Sequence, residues 1–142
     1  TEAILVSLFF AYIFYVAPFN AILEQNAEEI RKATGNPEIV LEHHCNVVCE
    51  EGEEEKYRSL TETWDVPIIV TTAVQMLNTL FSDKKSSIRR MHTLCNSIII
   101  FDEVQAIPVR CMELFHLAVN FLSKFCNTTI ILCSATQPSL AK

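Results

Sequence analysis

The strongest constraint on this chain is the stretch Ser97 to Pro108, SIIIFDEVQAIP. A short apolar run without helical spacing suits a strand buried on both faces, as in a parallel sheet. Two adjacent carboxylates, Asp102 and Glu103, then end it. Such groups cannot lie in a core. They belong at the carboxyl edge of the sheet, where open α/β sheets bind their ligands. A strand running into an acidic turn would give the same letters, so the stretch alone leaves two readings open.

A second stretch repeats the design. Thr129 to Pro138, TIILCSATQP, is an apolar run that ends in small hydroxyl residues, Ser134 and Thr136. Between the two runs, a segment from about Val109 to Cys126 carries Met112, Phe115, Val119, Leu122 and Phe125 at helical spacing. Glu113, Asn120 and Lys124 lie opposite, the pattern of an amphipathic helix.

Earlier segments alternate in the same way. Ala3 to Ala17 is the longest apolar run, too short for the roughly 18 to 20 residues of a spanning helix. It reads as a buried helix followed by a buried strand, Ile13 to Ala17. Asn20 suits an N-cap, and Ile22, Leu23, Ala27, Ile30 and Ala33 form a helical stripe that Gly35 is placed to end. Glu38 to Glu42 reads as a short strand, and Glu50 to Glu55 as a solvated acidic loop. Tyr57 to Thr63 reads as a helical turn or two, and Pro67 to Thr71 as a buried strand. Ala73 to Phe81 reads as a helix with Val74, Leu77 and Phe81 inward. Ile88, Met91, Leu94 and Cys95 also recur at helical spacing, and Lys84, Lys85, Arg89 and Arg90 beside them read as a solvated basic face.

Strands and helices in strict alternation predict an α/β fold: a parallel β-sheet with helices on both faces. Pro18, Thr71 and Thr72, Asp102 and Glu103, and Ser134 and Thr136 all fall at strand ends. They should converge on one edge of that sheet. With 142 residues, half of them hydrophobic and only two glycines, the chain suits one packed domain. Its formal charge of −6 excludes a global basic field for polyanions, so any nucleic-acid contact must be local. Six cysteines without a Cys-x-x-Cys pair read as reduced, mostly buried thiols of a cytosolic protein, and the His43, His44, Cys45, Cys49 group does not fit zinc spacing.

A strand ending in DEVQ, followed one helix later by a strand ending in SAT, resembles motifs II and III of superfamily 2 helicases, the first being a Walker B element. WDVPIIVTTAVQ from Trp64, FNAILEQNA from Phe19 and LEHHCN from Leu41 resemble the helicase part of the CRISPR-associated helicase-nuclease of type I systems. The likeness runs over residues 12 to 140. It implies a partial first RecA-like domain of the P-loop NTPase class, DExH-like, occupying 1–142, with ATP and Mg²⁺ as cofactors; the alternatives are another superfamily 2 helicase or translocase, or a degenerate RecA-like binding module without ATPase activity. Asp102 is then the metal ligand and Glu103 the catalytic base. Gln105, Ser134 and Thr136 lie at the nucleotide side, and Thr1 falls where the phosphate loop would end. Pro18, Asn20, Thr71 and Thr72 match motifs that contact single-stranded DNA. The implied partners are that DNA, an RNA-guided surveillance complex and the remainder of a helicase-nuclease chain, in a prokaryotic cytoplasm without membrane attachment. No Gly-x-x-x-x-Gly-Lys loop and no His-Asp dipeptide occur in these residues.

Overall fold

The computed structural model of the chain describes residues 12–134. The expected first helix, Thr1 and Thr136 lie outside them. Five strands, β1 (Ile13–Ala17), β2 (Val40–His43), β3 (Ile68–Thr72), β4 (Ile98–Phe101) and β5 (Thr129–Leu132), form one sheet in the order β2-β3-β1-β4-β5. All pairings are parallel. Five α-helices connect them: α1 (Asn20–Thr34), α2 (Glu54–Thr63), α3 (Ala73–Phe81), α4 (Lys85–Leu94) and α5 (Met112–Phe125). This is an α/β architecture with helices on both faces, as expected of a RecA-like domain.

Strand alternation sorts the core into two layers. Phe14, Val16, Ile69, Ile99 and Phe101 point to one face and pack with Trp64, Met76, Leu94, Phe115 and Leu122. Ala17, Val40 and Val70 point to the other and pack with Leu23 and Ala27 of α1. Thus α1 lies on one side of the sheet, and the helices that follow β2, β3 and β4 lie on the other. The chain leaves β1 toward one face and its neighbour β4 toward the opposite face. That divergence opens a crevice at the carboxyl ends of β1 and β4, the switch point where α/β sheets bind ligands.

Local chemistry sets the element ends. Gly35 stops α1 in a left-handed conformation (φ 67°), its N–H donating to the Arg31 carbonyl at 3.0 Å. Arg31 and Lys32 suit the negative end of that helix. The N-cap of α1 is Phe19; Asn20, expected there, is the first helical residue. The strand expected at Glu38 starts later, because Pro37–Ile39 forms a 3₁₀ turn.

Several expectations about burial are corrected. Between β3 and β4 lie two helices rather than one, and the inward face of α4 is largely polar: Ser87, Arg90, Thr93 and Leu94, with Ile88 exposed. On α3, Met76 and Thr79 point inward while Val74 and Phe81 are exposed. Phe125, at the end of the α5 stripe, is also exposed. On α3 and α4 the buried positions fall about one residue off the apolar stripe, whereas on α5 Phe115 and Leu122 are buried as the stripe predicts. Among the described residues β5 has a neighbour on one side only, and Ile131 and Leu132 are exposed. β4 is enclosed on one face, while Ile98 and Ile100 on the other are half-buried. The six thiols are unpaired, but only Cys126 is buried and Cys45 is exposed.

Arg90 is not part of a solvated basic face. It is buried, its guanidinium lies 4.7 Å from the centre of the Trp64 ring, and its Nε donates to the Thr61 carbonyl at 2.7 Å. Stacking and a backbone acceptor offset the cost of enclosing the charge.

Candidate nucleotide-hydrolysis site and nucleic-acid edge

Because the sheet is parallel, the ends of β1, β3, β4 and β5 open on the same rim. β4 and β5 stay joined past their last residues: Cys133 N–H donates to the Phe101 carbonyl at 2.8 Å, and Val104 N–H to the Cys133 carbonyl at 3.2 Å. This brings Asp102 and Ser134 to one place.

Asp102 leaves β4 with its N–H on the Val16 carbonyl at 2.8 Å, still tied to β1. Its carboxylate is held on both oxygens. Oδ1 accepts the Glu103 N–H at 2.9 Å, and Oδ2 accepts the Tyr15 hydroxyl. Burial, then the bond to Asp102, push the Tyr15 phenol well above its ordinary value, so it stays protonated and donates. Glu103 adopts a left-handed conformation (φ 52°), uncommon for a residue with a side chain. That turn sends its carboxylate in a different direction from Asp102 and starts the 3₁₀ segment Val104–Ala106. Gln105 Nε2 donates to Glu103 Oε2, and the Ser134 hydroxyl donates to Gln105 Oε1 at 2.7 Å. Ser134, Gln105 and Glu103 thus form one hydrogen-bonded chain.

The donor set fits a magnesium ion carried by a nucleotide. Among the described residues no group of three or more His, Cys, Asp or Glu side chains could cage a metal. Mg²⁺ does not need a cage: it keeps several waters and takes one or two carboxylates plus substrate phosphates. Asp102, oriented and half-buried on the rim, suits that role. A concavity of about 600 Å³ lies elsewhere, beside the edge strand β2 and lined in part by Val40, Glu50 and Tyr57. It holds none of the rim residues.

The expected nucleic-acid residues divide. Pro18 is half-buried at the end of β1, and Asn20 Nδ2 lies 2.9 Å from Cys45 Sγ, joining the loops after β1 and β2. Thr72 caps α3, its Oγ1 accepting the Gln75 N–H at 3.1 Å. Thr71 is fully enclosed and its hydroxyl donates to the His43 carbonyl at 2.8 Å, so its side chain cannot reach a ligand. It is a strand residue that braces β2 against β3.

Sequence reasoning missed Tyr15, Asn26 and His43. An aromatic residue in a strand carries no sign that its hydroxyl reaches a neighbouring strand's acid. Asn26 sits mid-helix, where its amide would pass for solvent-facing, yet its Nδ2 donates to the Tyr15 oxygen at 2.8 Å. His43 accepts the Trp64 indole N–H at 3.0 Å.

A parallel sheet whose carboxyl rim joins an acidic pair to a hydroxyl after the next strand is the arrangement expected of a helicase-type domain. Residues 9–142 match the sequence profile of the DEAD/DEAH box helicase family, and the chain belongs to that family. It is also 24% identical over 148 residues to the CRISPR-associated nuclease/helicase Cas3 of Haloferax volcanii. That alignment covers 92% of this chain and 16% of the archaeal protein, so the chain spans about a sixth of that relative's length. Among the described residues no helix is long and apolar enough to cross a membrane.

Proposed function

We propose that this chain is part of the first motor domain of an ATP-dependent DNA helicase that unwinds target DNA in type I CRISPR defence. The observation that carries the reading is the chain Ser134–Gln105–Glu103 set beside Asp102 on one rim. The likeness to Cas3 supplies the pathway.

Phosphoryl transfer needs positioning and charge neutralisation more than covalent chemistry. Asp102 would hold Mg²⁺, which would supply charge neutralisation at the phosphates. Glu103 orients the attacking water and accepts its proton. Gln105 and Ser134 connect that carboxylate to the segment after β5, where Thr136 completes the link to movement. Pro18, Asn20 and Thr72, with the backbone N–H groups around them, grip phosphates of single-stranded DNA without reading bases. The second motor domain and a nuclease belong to the remainder of a longer helicase-nuclease chain. An RNA-guided surveillance complex delivers the displaced strand to it in a prokaryotic cytoplasm.

The test is DNA-stimulated ATP hydrolysis and strand separation by the full-length protein. Glu103→Gln should abolish both while Mg²⁺-dependent nucleotide binding persists, and Asp102→Ala should weaken that binding. The isolated 142-residue chain should hydrolyse ATP no faster than background. Turnover that survives Glu103→Gln would sink the proposal.

A further inference from the structure

Tyr15 and Asn26 are not used by the chemistry above, yet Tyr15, held by Asn26, ends on its metal carboxylate. Tyr15 sits on β1 opposite Ile100 of β4, two residues before Asp102. Its ring rises along the sheet on the α1 side, packed with the Leu23 and Ala27 layer, and its hydroxyl donates to Asp102 Oδ2. The Tyr15 oxygen in turn accepts Asn26 Nδ2 at 2.8 Å from the second turn of α1. The other carboxylate oxygen is taken by the Glu103 N–H. A carboxylate fixed on both oxygens has one plane and one set of directions left for a metal-bound water.

Packing alone does not account for this arrangement. A phenylalanine would fill the same space, as Phe14 does on the opposite face. What the hydroxyl adds is a donor at the acid and an acceptor for Asn26, a line of two bonds that joins α1 to the end of β4.

We propose that Tyr15, itself held by Asn26, is a positioning residue that sets the Asp102 carboxylate for Mg²⁺. The inference rests on the nucleotide-hydrolysis reading of the rim. Groups that orient a metal ligand are typically worth about 10- to 100-fold in metal affinity or activity.

The experiment titrates Mg²⁺ against binding of a fluorescent, non-hydrolysable ATP analogue to the full-length protein, with steady-state hydrolysis alongside. Tyr15→Phe should raise the half-saturating Mg²⁺ concentration roughly tenfold. It should lower kcat, and leave the affinity for single-stranded DNA and the nucleotide KM at saturating Mg²⁺ unchanged. Asn26→Ala should act in the same direction and more weakly. The double variant should be no worse than Tyr15→Phe, because Asn26 acts through Tyr15. A purely structural role would lower the melting temperature and leave the Mg²⁺ midpoint in place. Should Tyr15→Phe fail to fold, Asn26→Ala carries the same readout. An unshifted midpoint in the folded variants, with Asp102→Ala abolishing the Mg²⁺ dependence, overturns the positioning role alone. A Mg²⁺ dependence that survives Asp102→Ala overturns the nucleotide reading itself.

Discussion

The Ser134 hydroxyl donates to Gln105 Oε1 at 2.7 Å, across 29 residues of chain. Gln105 turns its amide nitrogen to Glu103, so a residue after β5 is two hydrogen bonds from the proposed base. Such a line should behave as a unit. Ser134→Ala and Gln105→Ala are each expected to lower DNA-stimulated turnover of the full-length protein about tenfold, with the double variant close to either single one. Initial rates of the three variants check this, and simple multiplication of the effects would show that the bonds act separately.

Thr71 and Thr72, neighbours in sequence, should part in their effects. Thr71→Val leaves the His43 carbonyl without its donor and should cost about 1 to 3 kcal/mol of stability. It should not change affinity for single-stranded DNA. Thr72→Ala removes the cap of α3, costs about 1 kcal/mol, and is expected to weaken DNA binding as well. Urea denaturation and fluorescence anisotropy with a labelled oligonucleotide separate the two.

The basic cluster divides likewise. Arg90→Ala removes a stacked, hydrogen-bonded guanidinium from the interior and should destabilise the protein by about 2 to 4 kcal/mol. Lys84→Ala and Lys85→Ala, both exposed, should each stay within about 0.5 kcal/mol. Denaturation midpoints decide it.

His43 makes stability depend on pH. Burial, then the Arg90 charge, then His44 push its pKa from 6.5 down to about 4. Protonation would also take away the Nδ1 acceptor of Trp64. Since the folded value lies below the unfolded one, the unfolded chain holds the extra proton between them. The contribution is complete above about 6.5 and is lost as pH falls toward 4, by at most about 3 kcal/mol. His43→Asn keeps an acceptor and cannot titrate in this range. Its unfolding free energy should fall less steeply between pH 7.5 and 4.5 than that of the unsubstituted protein.

The strand at Ile98–Phe101 and the acids after it were legible because an apolar run broken by adjacent carboxylates has few places to go in a sheet. The end of α1 at Gly35 was legible because few other residues take a left-handed turn at low cost. The inward faces of α3 and α4 were not. Val74 and Ile88 fit an apolar stripe, yet helix rotation is set by what lies beneath, and there Arg90 meets Trp64. Thr71 reads as a candidate contact because nothing in two adjacent threonines says which hydroxyl faces inward.

Sequence by itself determined the alternation of elements, the strand ends that carry polar groups and, with it, a common rim, since parallel strands must all end on the same side. Only the tertiary structure decided which of those groups meet. Hydrogen bonds such as Tyr15 to Asp102 and Ser134 to Gln105 span 87 and 29 residues of chain. They depend on β1 and β5 flanking β4, an order that residue spacing does not encode.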